Sequence, residues 1–135
     1  MPAAGLLPHR PPMVFVDRLL EWEPDAGLVE AVVPAESLIA APGGFLEPAA
    51  LVEMVAQACA AIRGYSALRS GGAPARGALV GITGFEFLQR ARAGELLRIA
   101  IRFTGGIGPF HAAEGEVRRG DAPLARGSLK LWVSE

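Results

Sequence analysis

Cysteine and histidine are scarce in this chain of 135 residues. The single cysteine, Cys59, excludes a disulfide framework within the chain and favours a reducing compartment. The two histidines, His9 and His111, lie far apart in the sequence and show no metal-ligand spacing. The sequence therefore predicts neither a disulfide nor a metal site.

Excess charge of one sign and long apolar runs are also lacking. There are 13 Lys and Arg residues against 14 Asp and Glu, with no basic arm, which argues against nucleic acid as a partner. No apolar run reaches the roughly 18 to 20 residues of a membrane span, and the N-terminus does not have the pattern of a secretory signal. We therefore expect a cytoplasmic protein with no membrane segment and no nucleic-acid partner.

Strand and helix patterns are present, and they suit one domain over residues 1–135. Residues 49–62 contain no glycine or proline and predict one helix, which starts near Pro48 and extends to about residue 69, where Ser70-Gly71-Gly72 ends it. A turn at residues 23–27 separates the first two of six predicted strands: residues 13–20, 28–33, 78–87, 95–103, 111–118 and 124–133. Because strands and helices do not alternate, the fold class is α+β, and a doubly wound parallel sheet is excluded.

The predicted helix is apolar on nearly all sides, which places it inside the fold. A largely antiparallel sheet wrapped around one long central helix satisfies this requirement. The side of the helix that the sheet leaves open needs a partner, and a second copy of the chain is the simplest one. The sequence thus predicts a homodimer or a larger assembly.

Two polar residues interrupt the apolar helix. Glu53 and Gln57 are four residues apart and therefore share one face. A carboxyl group among apolar side chains is costly to ionise unless it is paired or hydrogen-bonded, and such groups suit proton transfer near neutral pH. Glu53 is the predicted catalytic residue, with Gln57 as its supporting hydrogen-bond partner. The alternative is that Glu53 faces solvent or pairs with an arginine across an interface.

Two other features have structural explanations. Cys59 has no base near it in the sequence, so we interpret it as a core residue and not as a nucleophile. The run Gly105-Gly106-Ile107-Gly108 does not match the GxGxxG fingerprint, and Pro109 follows where a helix would have to begin. A nucleotide-binding loop is therefore not expected there.

Two segments carry a family resemblance: residues 6–18 read LLPHRPPMVFVDR, and residues 53–58 read EMVAQA. They resemble the opening L-P-H-R-x-P, followed by a strand ending V-D-R, and the helix motif E-A-M-A-Q-A of the (3R)-hydroxyacyl-acyl-carrier-protein dehydratases of the FabZ and FabA type. Residues 79–82 and 93–96 resemble later, less specific landmarks. The resemblance extends over nearly the whole chain in the right order.

This resemblance implies a hot-dog fold, which agrees with the order of the predicted elements. It implies substrates carried as phosphopantetheine thioesters, on acyl carrier protein or coenzyme A, and no separate cofactor. The implied reaction is the removal of water from a 3-hydroxyacyl thioester. In the family, the acidic residue of the central helix works with a histidine from the preceding loop of another subunit, and Glu53 matches the acidic residue.

The histidine of that pair has no counterpart in the matching loop. The family loop reads G-H-F-P-G-x-P-V-M-P-G, whereas residues 40–48 read AAPGGFLEP, and no histidine lies between Pro34 and Glu53. The remaining loop residues Gly43, Gly44 and Phe45 are the predicted substrate-binding positions.

Three functions are therefore open. In the first, the chain is a dehydratase-like protein of fatty-acid or polyene-type biosynthesis, which is active either alone or with a second, histidine-bearing hot-dog protein that completes its site. The resemblance to the short ApeP proteins of aryl polyene pathways favours the partnered form. In the second, the chain is a non-catalytic acyl-binding or scaffolding subunit. In the third, it is a hot-dog thioesterase in which Glu53 activates water or attacks the thioester.

Overall fold

A computed structural model describes residues 2, 16–33, 48–71, 77–92 and 94–133 of the chain. Two strands precede one helix, and four strands follow it, as the sequence predicts. The elements are β1 (Arg18–Glu23), β2 (Ala26–Val32), α1 (Pro48–Arg69), β3 (Gly77–Phe87), β4 (Leu96–Ile107), β5 (Phe110–Arg119) and β6 (Ala122–Val133).

The six strands form one sheet in the order β1-β2-β4-β5-β6-β3. Every neighbouring pair is antiparallel. Hairpins join β4 to β5 and β5 to β6, whereas β3 returns to the far edge beside β6. The predicted α+β architecture, a largely antiparallel sheet with one long central helix, is confirmed.

The helix α1 lies against the sheet and contacts all six strands. It begins at Pro48, where the missing backbone N–H is not needed by the helix. It ends at Arg69, and Gly71 takes the positive φ of +84° that commonly follows a helix end. Two glycines allow the helix to approach the sheet closely: a Cβ on Gly27 would lie 2.6 Å from Ile62, and one on Gly115 would meet Val55.

Strand β4 shows why the sheet has one apolar face. Its residues alternate between the two faces, as a pleated strand requires. Leu97, Ile99, Ile101 and Phe103 are buried towards the helix, while the residues between them are exposed. The strand predicted at residues 95–103 is confirmed by this alternation.

The limits of the first strand differ from the prediction. It was placed at residues 13–20, of which 13–15 lie outside the described residues, but β1 runs from Arg18 to Glu23. The apolar run before it suggested an earlier strand. What sets the observed limits is pairing with β2, in which Arg18 faces Glu30 and Glu23 faces Ala26. The turn is therefore shorter than predicted, with only Pro24 and Asp25 between the strands.

Candidate active site

The predicted acid and its supporting residue meet on one face of α1. Nε2 of Gln57 donates a hydrogen bond to Oε1 of Glu53, with 3.2 Å between the two atoms. Glu53 is half-buried, and Gln57 is only 1% exposed although it is polar. Both neighbours of Glu53 in sequence, Val52 and Met54, belong to the buried core.

This pair can hold a carboxyl group in one orientation and present it to a ligand. The Gln57 amide donates to Oε1, and Glu53 as a residue is only half-buried. The helix positions the pair rigidly, because the turn on which they lie is packed against the sheet. An oriented carboxyl group beside apolar surroundings is suited to donating or accepting a proton.

Cys59 lies deep in the core and does not belong to this pair. Its side chain is fully buried, and burial raises the pKa of the thiol to about 12. The thiolate, which is the nucleophilic form, is therefore strongly disfavoured. The interpretation of Cys59 as a core residue is confirmed.

Other predicted site residues lie outside the described part of the chain. These are the loop positions Gly43, Gly44 and Phe45. Their predicted contribution to substrate binding stays a prediction.

The helix side of the sheet, meaning the face against which α1 packs, is partly exposed along the edge strand β3. Ile82 pairs with Leu129, and Phe87 pairs with Ala125, so each pair shares a face of the sheet. Leu129 and Ala125 are buried, but Ile82 is 50% and Phe87 46% exposed. The helix of the same chain thus covers β6 and leaves apolar side chains of β3 uncovered.

A second group of polar residues lies near the other end of α1. Arg63 stacks on Phe103, with its guanidinium carbon 3.7 Å from the ring centroid, and Nη1 donates a hydrogen bond to the carbonyl of Pro24 at 3.0 Å. His111 packs edge-on against the same ring, with 6.3 Å between the centroids. Arg63, His111 and Asp25 line a cavity of about 370 Å³.

This second group was not predicted from the sequence. Arg63 is the residue directly after the apolar run 49–62, which contains Glu53 and Gln57. An arginine directly after an apolar helical run was a usable signal. Its partners, however, come from the β1–β2 turn and from β4 and β5, which no local pattern brings together.

The described residues contain no group of three His, Cys, Asp or Glu side chains that could hold a metal ion. Within the same part of the chain, α1 is not apolar enough over a sufficient length to cross a membrane.

Comparison with known proteins identifies the relatives of the chain. It matches the ApeP-like family, described as ApeP dehydratase, over residues 1–135. It is 31% identical to the 3-hydroxyacyl-acyl-carrier-protein dehydratase FabZ of Legionella pneumophila subsp. pneumophila, in an alignment covering 96% of this chain and 90% of the relative. The resemblance predicted from the two motifs is therefore confirmed.

Solved structures confirm the hot-dog fold. A chain of the dehydratase heterocomplex ApeI:P from Xenorhabdus doucetiae superposes with a TM-score of 0.92 at 22% identity, over 100% of this chain and 92% of that one. A hypothetical thioesterase from Streptococcus pneumoniae TIGR4, crystallised with coenzyme A, gives a TM-score of 0.68 at 8% identity, over 87% and 84% of the two chains. At these identities, the likeness concerns the fold alone.

Proposed function

The chain belongs to the ApeP-like dehydratase family, and we propose that it contributes Glu53 to a 3-hydroxyacyl-thioester dehydratase site that a second hot-dog subunit completes. The observation that supports this most is the Glu53–Gln57 pair: a half-buried carboxyl group, oriented by a buried amide, within the stretch 49–62 of the helix that is otherwise apolar. The same position carries the acid in the family motif that residues 53–58 resemble.

The chemistry of dehydration explains why a second residue is needed. A base removes a proton from C2 of the acyl chain, the C3–O bond breaks, and an acid protonates the departing hydroxide to give water and the enoyl thioester. In our proposal Glu53 supplies the proton to the leaving oxygen, and a histidine of the partner subunit takes the C2 proton. No electron is gained or lost overall, so the reaction needs no cofactor beyond the phosphopantetheine carrier of the thioester.

The exposed edge of the sheet supports a partner of the same fold. Strand β3 is an edge strand of 11 residues, and its apolar residues Ile82 and Phe87 lie uncovered on the helix side. A second sheet that pairs with this edge would satisfy its backbone groups and cover both side chains. A hot-dog subunit offers such a sheet, and the similar chain of known structure comes from the dehydratase heterocomplex ApeI:P.

The thioester substrate is proposed to come from fatty-acid or polyene-type biosynthesis, presented on acyl carrier protein or coenzyme A. The relationship to FabZ supports this class of substrate. The loop residues Gly43, Gly44 and Phe45 remain our proposed contact for the thioester arm.

The test uses the full chain and follows both substrate and product. The purified protein is incubated with crotonyl-coenzyme A and with 3-hydroxybutyryl-coenzyme A, and mass spectrometry monitors hydration, dehydration and free thiol. The same assay is repeated after co-expression with each histidine-bearing hot-dog chain of the same organism, using both coenzyme A and carrier-protein thioesters. Glu53→Gln is the test variant, and Glu114→Gln, on the exposed face of β5, is the matched control.

We expect interconversion only in a mixed complex, and we expect Glu53→Gln to reduce it by about 100-fold or more, as loss of a general acid does. Turnover by the chain alone, lost in Glu53→Gln, would contradict the need for a partner but keep the dehydratase chemistry. Free thiol would indicate a thioesterase. A stable mixed complex without turnover would indicate a scaffolding subunit. So would a mixed complex whose turnover Glu53→Gln does not change.

A further inference from the structure

We propose that the cavity lined by Arg63, Phe103 and His111 binds a small oxyanion, a phosphate or a carboxylate group. The cavity lies where the β1–β2 turn and the β4–β5 hairpin meet the second half of α1, and its volume of about 370 Å³ is typical of a small-molecule site. Arg63 is ten residues beyond Glu53, or roughly 15 Å further along the helix axis, so the proposed site is distinct from the Glu53–Gln57 pair.

Arg63 is held in place but is incompletely hydrogen-bonded. Stacking on Phe103 fixes the plane of its guanidinium group, and the bond from Nη1 to the Pro24 carbonyl fixes one end. Its buried Nε has no hydrogen-bond partner among the described residues. The Nε–Nη2 edge of arginine is the fork that binds carboxylates and phosphates with two parallel hydrogen bonds. Because this Nε is buried, an oxyanion reaches it through a small movement of the guanidinium group and would then provide the missing acceptor.

The charges around the cavity also favour an anion. Burial lowers the pKa of Arg63, and burial together with the Arg63 charge lowers the pKa of His111. The side chain of Asp25 also lines the cavity and interacts electrostatically with Arg63. Among the described residues, Asp25 does not form an ion pair. A bound anion would stabilise the Arg63 cation and would favour the protonated form of His111, whereas the Asp25 carboxylate would oppose it.

Glycines form part of the cavity wall. Gly105, Gly106 and Gly108 belong to the β4–β5 hairpin and line the cavity. A Cβ on Gly106 would collide with the Phe110 carbonyl and lie 3.3 Å from Cα of His111, so the hairpin requires glycine there. At these three positions the wall is backbone, which leaves room for close approach, although Thr104 and Phe110 of the same hairpin also line the cavity.

The first test is an NMR titration of His111. The pKa of its imidazole is measured in chloride, in inorganic phosphate and in acetate at constant ionic strength, which holds general screening fixed. We expect a saturable rise in the His111 pKa with phosphate, with acetate or with both, and the two salts distinguish the kinds of oxyanion. Arg63→Gln should weaken the binding by at least about tenfold, and Arg102→Gln, an exposed arginine of the same sheet, should not. The proposal would be overturned if neither salt changed the His111 pKa. It would also be overturned if the salts changed that pKa equally in Arg63→Gln and in the native chain.

The second test does not depend on the folding of Arg63→Gln. Asp25→Asn removes the opposing carboxylate, which belongs to an exposed side chain. It keeps the backbone carbonyl of residue 25, which accepts a hydrogen bond from the Phe103 N–H. We expect this variant to bind the same salt about two- to fivefold more tightly, as removal of one partly screened charge allows. Unchanged or weaker binding in Asp25→Asn would contradict an anion site at Arg63.

Discussion

The amide of Gln57 donates a hydrogen bond to the carboxyl group of Glu53 one helical turn before it, and the amide is almost completely buried in doing so. A buried side-chain amide is costly unless its groups are satisfied, so a glutamine here is not explained by packing alone. The arrangement makes Gln57 a positioning residue for Glu53, which leads to a first prediction.

Gln57→Leu keeps a similar volume in the core but removes the donor to Glu53. In the proposed two-subunit dehydratase we expect kcat to fall about tenfold, because the hydrogen bond strengthens as Glu53 gives up its proton, and a hydrogen bond to a charged group contributes roughly 1.5–3 kcal/mol. We expect KM to change by less than about twofold, because Gln57 touches the acid and not the substrate. Steady-state kinetics checks both values, with thermal unfolding measured alongside. An unchanged kcat in a folded variant would show that Gln57 only fills space.

Assembly should depend on the exposed residues of β3. Ile82→Lys places a charge on the apolar helix side of this edge strand, where a partner sheet would bury it. We expect association to weaken by at least about tenfold, because burying an unpaired charge is costly. Sedimentation velocity on the chain alone and on the mixed complex measures the effect.

Leu96→Lys is the matched control for this assembly prediction. Leu96 is 48% exposed, close to the 50% of Ile82, but it lies on the opposite face of the sheet at the start of β4. Lysine at this position should leave the sedimentation profile unchanged. Equal behaviour of the two variants would argue against the β3 edge as the contact surface.

The helix, the strands and the Glu53–Gln57 contact could be predicted because each depends on residues that are close together in the sequence. The limits of the helix could be predicted because Pro48 starts it and Gly71 follows its end. The buried face of β4 follows from the alternation of apolar and other residues that begins at Leu97. The Glu53–Gln57 contact followed from their helical spacing. Arg63 and His111 could not be brought together in this way, because their proximity depends on how the β4–β5 hairpin packs against the helix.

Acid should destabilise the folded chain through His111. In the folded state the pKa of His111 is lowered from its ordinary 6.5, mainly by burial and secondarily by the Arg63 charge. Asp25 is the other charged residue that lines the cavity. The unfolded chain then binds more protons just below pH 6.5, so this contribution to stability is fully present above 6.5 and is lost as the pH falls towards the folded-state pKa.

His111→Gln removes this titration. In urea unfolding between about pH 7.5 and 5.5, in buffer without phosphate, we expect the native chain to lose more stability than His111→Gln does. The difference between the two chains is the quantity measured, because carboxyl groups elsewhere titrate in both. Parallel pH dependences would show that His111 has the same pKa in the folded and unfolded states.

The close approach of α1 to β5 depends on a glycine. A Cβ at Gly115 would meet Cγ1 of Val55 and lie 3.1 Å from Cδ1 of Ile101, so Gly115→Ala should overpack the core and cost about 1–3 kcal/mol of unfolding free energy. Val55→Ala should also destabilise, because it removes buried methyl groups. Together the two changes relieve each other, since the alanine methyl at 115 enters the space that Val55 vacates.

The double variant should therefore be more stable than the sum of the single effects predicts, with a coupling energy of about 1 kcal/mol or more. Urea unfolding of the four chains measures it. Gly81→Ala is the control, because a Cβ at that glycine of β3 has no heavy atom within 4 Å, and its effect should be small. Additive effects at Gly115 and Val55 would mean that the helix shifts away from β5 to admit the methyl group, and that the glycine does not fix their separation.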